Sequence, residues 1–236
     1  MPVEYKDSAS ESDRWLRSAS DLCFSMNLKK INLFLGIISL ITYTNAENNT
    51  VKVSIYYESR CPGSKHLITR QVYPYYEDLK DYITLDWVPY GHANQTKENG
   101  QWTFECQHGK TECDGNMYQA CALDQKKGQG IDAKFINCVM SSNRTQATKT
   151  KRCANETGLD WKTISLCFNS NRGKELLAAY GDRTHSFGPR LPYVPFIIYN
   201  DVFDRRLADD SLEDYRSTVC TQIPEPRPDV CLQEYE

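Results

Sequence analysis

The chain has 236 residues, 40% hydrophobic and 25% charged, the balance of an ordinary folded globular protein. A formal net charge of −3 supplies no basic field to hold a phosphate backbone or an anionic membrane surface, which excludes nucleic-acid binding as a leading function. Ten cysteines without paired CxxC spacings speak against the cytosol and for an oxidising compartment.

Residues 1–25 are a polar N-terminal extension of uncertain status, which a secretory leader normally lacks. From Met26 the chain has the anatomy of a signal peptide over residues 26–46: basic Lys29 and Lys30, an apolar stretch from Ile31 to Ile41, then small residues Thr44 and Ala46. That stretch is about half of the ~20 residues a membrane helix needs, so stable membrane insertion is not expected. The competing reading is a cytosolic tail on a short anchor. Four N-x-Thr sequons, at Asn48, Asn94, Asn143 and Asn155, sit in polar surroundings and predict glycosylation. The expected location is secreted, with lysosome or endosome as the alternative.

Residues 47–236 are expected to form one domain. Val51–Tyr57 is β-branched and aromatic and predicts a first strand. After Cys61-Pro62-Gly63-Ser64, residues Leu67, Ile68, Val72, Tyr75, Tyr76 and Leu79 recur at helical spacing and predict an amphipathic helix kinked near Pro74. Residues 83–89 predict a second strand. A β-α-β opening with a cysteine at the start of its helix predicts an α/β protein of thioredoxin-like fold. Residues 91–190 are rich in Gly, Asn, Gln and Lys and hold six cysteines, which predicts a disulfide-rich helical insertion. A strand is expected again over 194–199, then a turn and last strand over 201–206 and a closing helix over 211–220.

Cleavage after Ala46 would remove Cys23 and leave nine cysteines, an odd number, so one is expected to be unpaired. If it is Cys61, then Cys106, Cys113, Cys121, Cys138, Cys153, Cys167, Cys220 and Cys231 can form four bridges, whose connectivity the sequence leaves open. Cys61 is the candidate nucleophile because backbone N–H groups at a helix start favour a thiolate. The alternative is that Cys61 is bridged and another cysteine is free. In a two-cysteine motif the second thiol resolves the mixed disulfide formed by the first. Ser64 holds that second position here, and a hydroxyl cannot close a disulfide.

Cys106, Gln107, His108, Gly109, Glu112, Cys113, Asn116 and Cys121 match the pattern CQHGxxECxxNxxxxC at every fixed position. In this stretch the chain resembles the gamma-interferon-inducible lysosomal thiol reductases, and the order of elements extends the resemblance over most of residues 50–231. The resemblance implies a thioredoxin-like domain with a helical insertion and, for typical members, reduction of protein disulfides in acidic endolysosomes. It maps the catalytic pair onto Cys61 and Ser64, the second of which departs from the family. It also implies a cis-proline at Pro195, so that Val194 and Pro195 outline a peptide-binding groove beside Cys61.

Two other constellations have plainer readings. Cys106, His108, Cys113 and Cys121 do not have the spacing of a zinc finger, and the compartment favours disulfides. His66 lies one turn past the motif, where a helix-surface role competes with tuning of Cys61. No metal and no cofactor are expected. The function expected is that of a thiol-reductase-like glycoprotein with dithiol reductase activity lost or strongly reduced, acting by binding protein or peptide ligands, disulfide-containing ones included. The alternative is a monothiol disulfide reductase that uses Cys61 with external cysteine or glutathione.

Overall fold

The computed structural model describes residues 50–188 and 191–233. The N-terminal extension, the signal peptide, Cys23 and the sequon at Asn48 lie outside these residues. β1 (Val51–Tyr57) is the middle strand of a three-stranded sheet ordered β2-β1-β5. Its alternation divides the interior: Val53, Ile55 and Tyr57 enter the main core with Leu67, Ile68 and Leu79, while Tyr56 faces a smaller cluster with Val88, Phe196 and Ile198. β2 (Ile83–Pro89) runs parallel to β1, from Val51 opposite Ile83 to Tyr57 opposite Pro89. β5 (Phe196–Tyr199) runs antiparallel, with Val53 opposite Tyr199 and Tyr56 opposite Phe196.

A continuous helical run joins β1 to β2: α1 (Pro62–His66), a π-helical stretch (Leu67–Val72), a 3-10 turn (Tyr73–Tyr75) and α2 (Tyr76–Leu79). Pro74 has no N–H to donate and its ring crowds the preceding turn, so the helix changes pitch around it. The N–H of Tyr73 reaches back five residues to the Ile68 carbonyl. The amphipathic face therefore survives, with Leu67, Ile68, Val72, Tyr76 and Leu79 all buried.

The insertion opens with a hairpin that the sequence reading did not foresee, β3 (Asn94–Glu98) and β4 (Gln101–Glu105). Asn99 and Gly100 connect the strands with φ of 49° and 78°, as a tight two-residue hairpin turn requires. Five helices follow: α3 (Lys110–Leu123), α4 (Gln129–Ser141), α5 (Gln146–Thr157), α6 (Trp161–Phe168) and α7 (Asn171–His185).

The C-terminal end departs from expectation in three places. The strand begins at Phe196 rather than 194, because Val194 and the cis-linked Pro195 stand before the ladder and proline offers no N–H to it. The last strand expected over 201–206 reduces to one bridge between Tyr199 and Val202, with Asn200 and Asp201 turning the chain at positive φ. The single closing helix is two, α8 (Arg205–Glu213) and α9 (Tyr215–Gln222). Asp204 accepts from the N–H groups of Arg206 and Leu207, and Asp214 from that of Ser217, so each aspartate starts a helix of its own. The result is an α/β, thioredoxin-like fold with a disulfide-rich helical insertion.

Eight cysteines form four bridges. Cys121–Cys167 ties α3 to α6, Cys138–Cys153 ties α4 to α5, Cys106–Cys113 closes the turn before α3, and Cys220–Cys231 holds the C-terminal segment. The Cys121–Cys167 bridge closes 46 residues and Cys220–Cys231 only 11. Replacing both cysteines by alanine in the first pair should cost about 4 kcal/mol of stability, against about 3 kcal/mol for the second, on the loop-entropy relation. Urea unfolding measured for the two double variants checks the order.

Candidate redox and peptide-binding site

Cys61 caps the N-terminus of α1 with extended backbone, its N–H donating to the Glu58 carbonyl at 3.3 Å and its carbonyl accepting from Lys65 at 3.0 Å. It is half-buried and is the one unbridged cysteine among the described residues. Its thiol donates to the Val194 carbonyl at 3.6 Å. Gly63 brings the helix start against Pro195: a Cβ there would lie 3.2 Å from Pro195 Cδ and 3.7 Å from Cys61 Sγ. The structure thus gathers Cys61, Val194 and Pro195, residues 133 positions apart in sequence.

Ser64 is fully buried, and its Oγ accepts from the Glu58 N–H at 3.2 Å. The hydroxyl satisfies a buried backbone donor from within the motif loop. His66 is exposed on α1.

The motif loop is held from α3. Asn116, fully buried, accepts from the Ser59 N–H at 2.9 Å and donates to the Tyr90 carbonyl at 3.4 Å. Ser59 Oγ donates to the Glu112 carbonyl at 3.0 Å. Gly115 permits this approach, since a Cβ there would stand 2.3 Å from Ser59 Oγ.

A second network lies beneath the loop. His108 Nδ1 lies 2.6 Å from Glu112 Oε2 and 3.4 Å from Glu58 Oε2, and Glu112 Oε1 accepts from the His108 N–H at 3.0 Å. Glu58 Oε1 accepts from the His92 N–H at 2.8 Å, and His92 Nε2 lies 3.1 Å from the Leu191 carbonyl. Glu58 therefore links the motif loop to the segment that leads into Val194 and Pro195. Both carboxylates are almost wholly buried, so the imidazole between them answers a charge that would otherwise be costly.

These contacts give the eight-residue signature a physical reading. Cys106 and Cys113 close the turn, Gly109 enters α3 with a φ of 75°, His108 and Glu112 pair, Asn116 grips the motif loop, and Cys121 binds α3 to α6. Gln107 lies exposed in the turn. The cysteine sulfurs are spent in bridges, which leaves none of the zinc-type thiolates considered from sequence. Ligand atoms of Glu58, His108 and Glu112 do lie within 4.8 Å of one another, close enough to hold a cation of the kind that oxygen and imidazole suit.

Glu58, Ser59, His92 and Gly115 were not singled out from sequence. Glu58 carried a signal, a charged residue directly after the buried run Tyr56-Tyr57; the others carried none without a partner in view. Asn94, Asn143 and Asn155 are exposed, as glycan acceptors must be.

Lys149 on α5 is 5% exposed. Burial first, and then the charges of Lys65 and Arg60, push its ammonium down to about 8.

The site thus consists of a half-buried cysteine at a helix start in a thioredoxin-like domain, a cis-proline against it and a helical insertion bracing the loop. A family model described as gamma interferon inducible lysosomal thiol reductase matches residues 52–157. GILT-like protein 1 of Drosophila melanogaster is 32% identical over 223 residues, covering 89% of this chain and 88% of that one. A gamma-interferon-inducible lysosomal thiol reductase-like protein of Anopheles gambiae is 33% identical over 210 residues, 84% of this chain and 87% of that one. The chain belongs to the gamma-interferon-inducible lysosomal thiol reductase family. Among solved structures it is similar to DsbA of Chlamydia trachomatis, with a TM-score of 0.49 and 14% identity over 69% of this chain and 83% of that one.

Two variants test this framework. Asn116→Ala leaves the Ser59 N–H without its side-chain acceptor and takes one of two donors from the Tyr90 carbonyl, which keeps the Ala93 N–H, and should destabilise by about 1–3 kcal/mol, read from urea unfolding. Lys149→Met should instead stabilise at pH 7, by about 1 kcal/mol after allowance for screening. The folded chain releases the Lys149 proton at a lower pH than the unfolded chain does. The cost of the charge is therefore fully present below about 8 and is relieved as pH rises toward the ordinary lysine value of 10.5. The advantage of Lys149→Met should fade over that window in melting curves recorded from pH 7 to 10.

Proposed function

We propose that this protein keeps the peptide-engaging half of a thiol reductase site and lacks the resolving half. Dithiol reductase activity is lost or strongly reduced, and the protein acts by binding protein or peptide chains beside Cys61. The observation that carries the reading is Ser64: at the resolving position it presents a buried hydroxyl engaged with the Glu58 N–H, where the chemistry requires a second thiol. The groove side supports the binding role, because Val194 and Pro195 stand against Cys61 with backbone able to meet an extended chain.

A second reading is favoured by the state of Cys61 itself. It is unbridged and half-exposed, so it can attack a substrate disulfide and wait for an external thiol such as cysteine or glutathione. The predicted signal peptide, the exposed sequons and the names of relatives such as the lysosomal thiol reductase of Carassius auratus support a secreted or endolysosomal place of action. No helix among the described residues is long and apolar enough to cross a membrane.

Insulin-disulfide reduction at pH 4.5 and 7 tests both readings. Without small thiols the native protein should show little turnover, and Ser64→Cys should raise it by about tenfold or more. Turnover that grows with added glutathione and vanishes in Cys61→Ala supports the monothiol reading; glutathione-independent turnover by the native chain sinks both.

A further inference from the structure

A cavity of about 420 Å³ opens beside the motif loop, between that loop, the first turn of α3 and the α4–α5 connection. Its wall carries four cationic side chains, Arg60, Lys65, Arg144 and Lys149, and no carboxylate. Arg60 directly precedes Cys61, and Lys65 donates its N–H to the Cys61 carbonyl, so two of the four cations flank the motif, whose own four residues stand outside the wall. Lys65 Nζ also donates to Asn143 Oδ1 at the rim, at 3.0 Å. On the inner wall Gln146 is buried. A larger cavity of about 650 Å³ lies elsewhere, against Lys52, Asp86, Arg183 and Asp201, and has no motif residue in its wall.

Four like charges around one half-open space repel one another, most strongly at Lys149, the buried one. Lys149 bears the consequence in its lowered proton affinity, caused by burial and by Lys65 and Arg60. An anion entering the cavity would lower the repulsion and meet charge-assisted donors on several sides.

We infer that this cavity binds a small thiol bearing carboxylates, of the size and chemistry of glutathione, and places it as the external reductant of Cys61. The inference rests on the monothiol reading and specifies where its second reactant binds. The exchange balances in three steps. The Cys61 thiolate attacks a substrate disulfide, forming a Cys61–substrate disulfide and releasing one substrate thiolate, which takes a proton from water. The bound thiol, as thiolate, attacks Cys61 Sγ, forming a Cys61–glutathione disulfide and releasing the second substrate thiolate. A second glutathione attacks the glutathione sulfur, so that oxidised glutathione leaves and the Cys61 thiolate is restored. Two glutathione molecules are oxidised for each substrate disulfide reduced.

The test uses the full secreted chain carrying Asn143→Gln, which keeps a glycan off the cavity rim, with Cys61 converted to its thiopyridyl disulfide, a neutral leaving group, and follows thiopyridone release by absorbance. Rates are compared for glutathione and for uncharged 2-mercaptoethanol, with the thiopyridyl disulfide of 2-mercaptoethanol as the small-molecule reference. The ratio of the two rates should exceed the reference by about tenfold, and Lys149→Met or Arg144→Gln should each lower it by about threefold or more. Lys149→Met is expected to melt higher than the native chain, so a lost preference in that variant is not a loss of folding. A native ratio equal to the reference, or one that neither substitution changes, overturns the site while leaving the monothiol reading intact. Failure of Cys61 to take up the thiopyridyl group sinks that reading and the site with it.

Discussion

The grip of α3 on the motif loop is the contact on which the rest of the site depends. Asn116 reaches from the middle of a buried helix to the backbone of Ser59 and Tyr90, and Gly115 removes the side chain that would keep helix and loop apart. α3 is itself fixed by Cys106–Cys113 at its start and Cys121–Cys167 at its end. The insertion is therefore the brace of the thioredoxin-like core, and a change within it reaches Cys61 through two hydrogen bonds. Buried polar contacts of this kind are strong because the alternative is an unsatisfied group in a medium that solvates poorly.

Glu58, His108 and Glu112 add an electrostatic version of the same constraint. Two carboxylates with almost no exposure share one imidazole, and Glu58 also holds the His92 N–H, whose side chain reaches Leu191. The route from the signature to the cis-proline segment thus runs through contacts between polar groups rather than apolar packing. Cys61 turns its thiol to the Val194 carbonyl, while Ser64 turns inward to the Glu58 backbone. Ser64 fits this scaffold because its hydroxyl satisfies the Glu58 N–H.

Much of the fold was legible in the sequence where a local period coincided with burial. β1 and β2 fall at the residues their alternation indicated, and the helix between them keeps its apolar face despite Pro74. The misses have local causes. The hairpin of β3 and β4 was missed although Asn99-Gly100 is a strong turn signal and Gln101–Glu105 alternates polar and apolar with Trp102 and Phe104 half-buried; each strand has only five residues, and β3 is polar throughout. The C-terminal helices were merged because a helical period passes through Asp214, and only its capping bond to Ser217 shows that the chain restarts there.

At the site, the sequence by itself determined which residues are present: Cys61 with Ser64 three places on, eight other cysteines after the predicted leader, and a signature whose spacing pointed to the family. These are counts and spacings along a line, and a line of residues carries them completely. Only the tertiary structure decided which sulfurs pair, that Val194 and Pro195 stand against Cys61, that Glu58 and His92 join the signature, and that Arg60, Lys65, Arg144 and Lys149 face one space. Those facts depend on approach between segments up to 133 residues apart, which packing sets and local preference does not encode.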